Sequence, residues 1–170
     1  MLIDLLDSEL LNNPNLNASI NIKIDKIDKF EYLQDFVSKI HLGDGRILMK
    51  SFNTQWNNSV LIKSNEIEFL NDIEGKKLVG EIIFNFEDIE KFFRYFQIKR
   101  NYRDVFESIK FDFVYDLILD KFTINNLRID NNSSKKLNKF LNQYNKSENN
   151  SFNKVTIRNF IKEFFRVYAG

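Results

Sequence analysis

The segment covering residues 78–130 constrains the fold most, because two alternating apolar stretches flank a short aromatic helix. The first stretch is Leu78–Phe86, and a helix is predicted over Glu87–Ile98, followed by a basic hinge at Lys99–Arg103. The second stretch places large apolar side chains at every other position, at Ile109, Phe111, Phe113, Tyr115 and Leu117. A period of two predicts a sheet with one apolar face. These alternating segments contain no candidate catalytic side chain, so the apolar face of the sheet is the candidate binding surface.

Further strands are predicted before and after this segment. Ser19–Ile27 alternates isoleucine with polar residues, which is typical of a half-exposed strand. Gly43-Asp44-Gly45 predicts a tight hairpin turn, since glycine adopts positive φ at little cost. Phe30–Ser38 is open between a twisted strand and a helical turn. The other predicted strands are Val37–Leu42, Arg46–Asn53, Val60–Lys63, Glu66–Leu70, Lys76–Phe86 and Phe122–Asp130, the last with a bulge between Ile124 and Leu127.

These patterns predict an α+β fold in which β-structure dominates. We expect a curved antiparallel β-meander that forms an apolar groove, with short amphipathic helices flanking it and at the C-terminus. Three regions follow from this organisation. Residues 1–17 form an N-terminal helix and linker, residues 18–130 the β-groove with its inserted helix at 87–98, and residues 131–170 a C-terminal helical tail.

Composition excludes several classes of function. The formal net charge of +1 gives no electrostatic reason to expect a nucleic-acid partner. The chain has no cysteine, which excludes disulfides, thiolate metal sites and cysteine nucleophiles. The N-terminus carries acidic residues without a basic region, so it is not a signal peptide, and no apolar run reaches the roughly 20 residues of a membrane span.

Candidate catalytic residues are few, and each has a structural interpretation. His41 is the single histidine, and a histidine without a placed partner is a poor general base. The acidic pairs Asp72/Glu74 and Glu87/Asp88 fall at a turn and a helix start, where carboxylates are favoured. Gly43–Gly45 lacks the lysine of a phosphate-binding loop. We therefore predict a protein that is not an enzyme, with no catalytic residue, no metal and no cofactor.

Two features remain open between a structural and a binding role. Lys99–Arg103, with Tyr102, is either a solvated linker that ends a helix or a contact for phosphates or lipid headgroups. The aromatic stripe at Phe111, Phe113 and Tyr115, together with Trp56, is either core packing or the wall of a groove. Many half-apolar strands with only short helices to cover them favour a groove that takes acyl chains, because each buried methylene stabilises by about 0.8 kcal/mol.

The order of these elements resembles the C-terminal region of bacterial AsmA-like proteins. The resemblance rests on Leu78–Phe86, Asp88–Ile98, the Arg100/Arg103 linker, Ile109–Tyr115 and Asn125–Asp130, with a tail like Lys154–Gly170. The stretch Ile20–Leu70 looks like one of the β-repeats of that family. These are degenerate β-patterns without a catalytic signature.

The resemblance implies a bridge-like lipid-transfer architecture of the chorein type, whose curved sheet carries phospholipid toward the outer membrane. It implies phospholipid as partner, a location at the periplasmic face of the inner membrane, and an inner-membrane anchor or the remainder of a longer chain. Because the family's N-terminal anchor is absent here, we expect a C-terminal piece of a longer protein or the product of a split gene. The groove-lining residues it implies are Ile20, Ile22, Ile24, Ile82, Phe84, Phe86, Phe111, Phe113 and Tyr115.

The alternative is a protein-interaction module that docks through a sheet edge or through its aromatic C-terminal helix. A lipid groove requires a continuous apolar face that is open along its length. An interaction module would close that face and expose an apolar patch on the terminal helix, around Phe160, Phe164 and Phe165.

Overall fold

The computed structural model describes residues 13, 15–26, 32–72, 75–147 and 153–170. The strands in these ranges are β1 (Asn17–Lys26), β2 (Leu33–Gly43), β3 (Arg46–Trp56), β4 (Val60–Ser64), β5 (Ile67–Asp72), β6 (Gly75–Phe86), β7 (Ser108–Asp116) and β8 (Lys121–Ile129). The helices are α1 (Ile89–Phe96), α2 (Lys135–Lys146) and α3 (Lys154–Ala169), and a 3-10 turn at Arg100–Tyr102 follows α1. The helix predicted in residues 1–17 falls almost entirely outside the described residues.

The strands form one antiparallel sheet in which neighbours in sequence are neighbours in space. β4 and β5 lie end to end between β3 and β6, so that together they act as one interrupted strand. The predicted β-dominant α+β fold, with an antiparallel meander and a helix at the C-terminus, is confirmed.

Local turn chemistry accounts for the hairpins. Asp44 and Gly45 join β2 to β3 with φ of 53° and 71°, the left-handed pair that suits a two-residue hairpin turn. Asn57 and Asn58 also have positive φ, 50° and 48°, at the turn between β3 and β4. Asparagine tolerates this conformation better than most residues do. At both of these turns the sequence therefore supplies residues that adopt positive φ at low cost.

The register is irregular where β2 pairs with β3, between Gln34 and Val37 and between Lys39 and Ile40, and where β7 pairs with β8. The predicted bulge of the last strand is confirmed, because the pairing of β7 with β8 shifts opposite Phe111, where Asn126 has a φ of 50°. A close approach of two strands occurs at Gly80 of β6, which lies opposite Ile67 at the junction of β4 and β5. A Cβ atom at Gly80 would lie 2.8 Å from the Glu66 carbonyl oxygen, so close approach of the strands requires glycine there.

Most of the large apolar side chains of the sheet lie on one face, which we call the apolar face. Directly opposite residues of antiparallel strands point to the same side, so the register defines rows across the sheet. One such row crosses the sheet from β1 to β8 through Ile20, Ile40, Met49, Ile67, Gly80, Phe113 and Ile124. Ile22 and Ile24 of β1 lie on the same side, two and four residues further along the strand.

The three helices cover the apolar face over β4 and β6–β8. Phe93 of α1 and Phe165 of α3 are each 1% exposed, and their rings meet edge to face at 5.2 Å. Leu137 and Leu141 of α2 belong to the same buried cluster, together with Ile109 of β7. The residues predicted as a C-terminal tail are therefore part of the main core. In the described part of the chain, no helix combines the length and the apolar character needed to cross a bilayer.

Several predicted boundaries change for physical reasons. The sequence leaves Phe30–Ser38 open between a strand and a helical turn. From Leu33 the segment is a strand, because β2 pairs with both β1 and β3. The inserted helix is Ile89–Phe96 rather than residues 87–98, because the Asp88 carboxylate caps it and Gln97 ends it in a left-handed conformation with a φ of 55°. Ser134 stands at the N-cap of α2, but its side chain makes no capping hydrogen bond.

Candidate functional site

The apolar face is not evenly covered, and its part over β1–β3 carries exposed apolar side chains. Ile20 is 46% exposed and Ile24 is 39% exposed. Ile22, Phe36 and Phe52 are half-buried on the same side, opposite one another or next to one another in the register. None of these five side chains belongs to either buried cluster of the fold. We call these five residues the open patch.

Aromatic stacking organises the floor of the open patch. The rings of Phe36 and Phe52 stack with their centroids 6.0 Å apart and their planes 21° from parallel. Ile24 lies directly opposite Phe36, so an aliphatic side chain of the edge strand adjoins this aromatic pair. The result is an apolar surface built on three adjacent strands, with its outer rim on β1.

Polar groups beneath the open patch are satisfied within the protein. Ser38, which lies between Ile22 and Phe52 in the register, donates from its hydroxyl to the carbonyl oxygen of Ser51 at 3.1 Å. Thr54 donates to the carbonyl oxygen of Gln34 at 2.8 Å. In the described ranges, no buried side-chain nitrogen or oxygen lacks a hydrogen-bond partner. The buried polar groups of the patch are thus already bonded within the protein, and its side chains offer apolar contact area, which suits an apolar ligand.

The nine predicted groove residues share the apolar face, but the structure divides them. Ile20, Ile22 and Ile24 lie in the open patch. Phe84, Phe86 and Phe111 pack against the helix-covered core; Phe84 stacks on Phe111 at 5.9 Å and Phe86 meets Phe92 at 5.2 Å.

The remaining three predicted groove residues are Ile82, Phe113 and Tyr115, and each has a different environment. Phe113 is 4% exposed and stacks on Phe122 at 5.4 Å, while Ile82 is half-buried. The hydroxyl of Tyr115 donates to a carboxylate oxygen of Asp120 at 2.7 Å. This hydrogen bond, followed by burial, raises the pKa of Tyr115 above its usual value. The apolar face thus extends from β1 to β8, but the helices bury it over β4 and β6–β8, and its most exposed side chains, Ile20 and Ile24, lie on β1. The face that a lipid groove requires to be open along its length is therefore covered over much of the sheet.

Sequence patterns did not identify Phe36 and Phe52 as part of this surface. Phe36 falls in the stretch that was ambiguous between strand and helix, and Phe52 falls next to a register shift in β3. The alternation of β3 is interrupted there, so a strict period of two cannot assign its side chains to one face. The pairing of Ser38 with both Ile22 and Phe52 supplies the missing information.

The terminal helix does not carry the exposed aromatic patch that the interaction alternative requires. Phe164 is 3% exposed and Phe165 is 1% exposed, and both belong to the main core. Phe160 is half-buried between Phe140 and Tyr144 of α2, at ring distances of 5.5 and 4.6 Å. These side chains hold the helical layer together and do not form the exposed patch that the interaction alternative requires.

Within the basic hinge, Arg103 has a structural role and its neighbours face solvent. The guanidinium of Arg103 donates to the Ile98 carbonyl and to Glu90, both at 3.0 Å, and lies over the ring of Phe93. Lys99 and Arg100 are exposed. The hinge thus fixes the exit of α1, as the structural interpretation predicts, while two of its cations remain at the surface.

The single histidine lies away from the apolar face. His41 is half-buried on β2, on the face of the sheet opposite the apolar face, across from Ser19 and Leu48. Across the described residues, histidine, aspartate and glutamate nowhere gather in a group of three or more that could hold a metal ion. The open patch is therefore the surface with the clearest binding chemistry.

Comparison with known proteins adds no assignment: no family model, no curated protein and no solved structure matches this chain.

Proposed function

We propose that the protein is a non-enzymatic β-sheet module that binds phospholipid acyl chains on its open patch. The observation that carries this proposal is the exposure of Ile20 and Ile24 beside the stacked rings of Phe36 and Phe52, on a face without a free buried polar group. Burying apolar area there stabilises a complex by about 25 cal/mol for each Å² removed from water. An acyl chain supplies such area along its length and needs no catalytic residue.

The cellular setting belongs to the same proposal. The resemblance of Leu78–Tyr115 to AsmA-like proteins supports a role in lipid transport or outer-membrane biogenesis in the bacterial envelope, at the periplasmic face of the inner membrane. In that setting the open patch would continue an apolar surface supplied by an inner-membrane anchor or by the remainder of a longer chain. Phospholipid is the proposed partner whether that surface comes from an inner-membrane anchor or from the remainder of a longer chain.

Equilibrium titration with a fluorescent phospholipid, labelled on one acyl chain, tests the proposal. Ile24→Glu places a charge in the open patch at a side chain that is already 39% exposed, so folding should be preserved. Asn21→Glu is the matched control, because it adds the same charge to the same strand on the opposite face. We expect Ile24→Glu to weaken binding about tenfold or more, and the control to change it little. Equal binding by wild type and both variants would exclude the open patch.

A second candidate function follows from the two edges of the sheet. At the β8 edge, the side-chain amide of Asn145 pairs with the backbone of Ile124, and Asn132 bridges to Ile129. At the β1 edge, ten residues run along the border of the sheet and most of their side chains are exposed. An edge strand of this length is a template for the addition of a partner strand.

The strand-addition alternative is separated from acyl binding by a backbone change. Lys23→Pro removes one edge N–H and restricts the β1 backbone, but leaves the three isoleucines of the open patch in place. If the protein acts by strand addition, self-association or peptide capture falls while binding of the labelled phospholipid persists. If lipid binding is the function, Ile24→Glu has the larger effect and Lys23→Pro the smaller.

A further inference from the structure

Charge is divided unevenly between the C-terminal helices and the rest of the chain. Residues 131–170 contain eight lysine or arginine side chains and two glutamates, a net charge of +6. Residues 1–130 contain 17 basic and 22 acidic side chains, a net charge of −5. The formal charge of +1 conceals this separation. A surface of one sign on a nearly neutral protein orients it toward a partner of the opposite sign.

The basic side chains of α2 lie on its outward side. Lys135, Lys139 and Lys146 are exposed, and the helical repeat of 100° per residue places them within an arc of about 40°. Leu137 and Leu141, which are 1% and 4% exposed, occupy the opposite side and face the core. The three lysines therefore form a stripe that points away from the sheet.

α3 extends the cationic surface. Lys154 and Arg166 are exposed, and Lys162 is half-buried. Phe164 and Phe165 bury the inner side of α3 in the same cluster as Leu137 and Leu141, so the two helices pack on one core. We call this surface, formed by the outward side chains of α2 and α3, the basic helical layer.

Acidic partners are scarce in the basic helical layer. The two helices contain one acidic residue, Glu163, which pairs with Arg166 at 3.1 Å. Cations on the sheet differ in this respect: Lys110 lies 2.6 Å from Glu81, and Lys50 lies 3.8 Å from Glu66. Arg158 of α3 donates to the Tyr95 carbonyl oxygen at 3.4 Å, so it also has a partner within the protein. The lysines of α2, by contrast, have no carboxylate on their own helix, whereas these two sheet cations are partly neutralised locally.

An apolar groove accompanies these cations. α2 and α3 enclose a groove of about 440 Å³. Its aromatic lining comprises Phe140, Tyr144 and Phe160. Val155, at the start of α3, is 67% exposed. Apolar and aromatic side chains among lysines are the combination found in helices that lie at the interface of anionic membranes.

We propose that the basic helical layer docks the protein on the surface of a bilayer that contains anionic phospholipid. A planar bilayer can contact the basic helical layer while residues 1–130, whose net charge is negative, stay in solution. A long nucleic acid would instead come near residues 1–130 and be repelled by them. The predominance of lysine over arginine, six to two, also suits headgroup attraction better than the bidentate recognition of phosphates and bases. The proposal uses residues distinct from the open patch, so it does not depend on acyl-chain binding.

Vesicle flotation tests the docking surface. The full chain is mixed with vesicles of phosphatidylcholine alone, or of phosphatidylcholine with phosphatidylglycerol, at low and at physiological ionic strength. We expect binding to the anionic vesicles that weakens as salt is added, and little binding to neutral ones. Absence of binding to anionic vesicles at low salt overturns the proposal.

A matched pair of triple variants separates this surface from general charge. Lys135→Gln, Lys139→Gln and Lys146→Gln together remove the α2 stripe, and binding should fall by about a hundredfold. Lys26→Gln, Lys39→Gln and Lys50→Gln remove the same charge from exposed sheet positions and should change binding less than about threefold. Circular dichroism checks that both variants fold. Equal losses overturn the proposal, as does tighter binding to a DNA duplex than to anionic vesicles.

Discussion

Asn145 uses both ends of its side-chain amide to satisfy the backbone of Ile124. The Ile124 N–H donates to Asn145 Oδ1 at 3.1 Å, and Asn145 Nδ2 donates to the Ile124 carbonyl oxygen at 2.8 Å. The amide thus takes the place that a residue of a ninth strand would occupy at the free edge of β8. A side chain of α2 thus takes up the hydrogen bonds of one residue at this sheet edge. Occupying edge hydrogen bonds in this way is one means of preventing edge-to-edge association.

We predict that Asn145→Ala destabilises the fold by about 1–3 kcal/mol, because two part-buried backbone groups lose their partners. Asn142→Ala is the control, since Asn142 is exposed on the same helix, and it should cost under about 0.5 kcal/mol. Urea denaturation measures both. Equal stability of the two variants would show that water replaces the amide without loss.

The contact of Asn145 with Ile124 illustrates what sequence patterns miss. The bulge near Ile124 could be predicted, because the alternation of apolar residues slips within the strand itself. The bond from Asn145 could not, since it joins positions 21 residues apart and asparagine is common throughout the chain. Local periodicity defines strands and turns; contacts between a helix and a sheet edge depend on how the elements pack.

The same distinction holds for the candidate site. The alternation of β1 placed Ile20, Ile22 and Ile24 on one face correctly. Which aromatic residues lie in the open patch and which lie under helices depends on where α1–α3 pack, and no single strand pattern contains that information. The cationic character of the last forty residues could have been found by counting charge by segment instead of over the whole chain.

Phe165 should be among the most sensitive positions of the core. Its ring contacts those of Phe93, Phe106 and Phe164 at 5.2, 5.8 and 5.0 Å, and it is 1% exposed. We expect Phe165→Ala to lower the free energy of unfolding by about 3–5 kcal/mol, since it leaves a cavity among these rings. Val155→Ala on the same helix should cost under about 0.5 kcal/mol, because Val155 is 67% exposed. A small loss at Phe165 would mean that α3 is not part of the core.

Gly80→Ala tests the junction between β4 and β5. The added Cβ would lie 2.8 Å from the Glu66 carbonyl oxygen and 2.9 Å from Cγ1 of Ile67. Since backbone must move to relieve the first contact, we predict a loss of about 1–3 kcal/mol in denaturant unfolding. Glu81→Ala, at the next residue, removes only the partly exposed ion pair with Lys110 and should cost under about 1 kcal/mol. If Gly80→Ala left the free energy of unfolding unchanged, the backbone at the junction of β4 and β5 would have to shift without cost.

Because the pKa of Tyr115 is raised, we predict that the stability of the fold depends on pH in the alkaline range. The hydrogen bond to Asp120, with burial, raises the pKa of Tyr115 above the value of 10.0 that it has in an unfolded chain. The protonated phenol is therefore favoured by folding, and its contribution is fully present below pH 10.0 and lost as pH rises through the raised folded pKa. Tyr115→Phe should show a shallower loss of stability than wild type above that pH. Identical alkaline profiles of the two proteins would contradict this.

Native mass spectrometry of the purified chain, with lipid extraction of the same sample, tests acyl-chain binding most directly. We expect phospholipid at a defined stoichiometry with wild type and with Asn21→Glu, and its loss from a folded Ile24→Glu variant. A folded, lipid-free monomer, or lipid that remains bound to Ile24→Glu as to wild type, would contradict the assignment of the open patch to acyl chains.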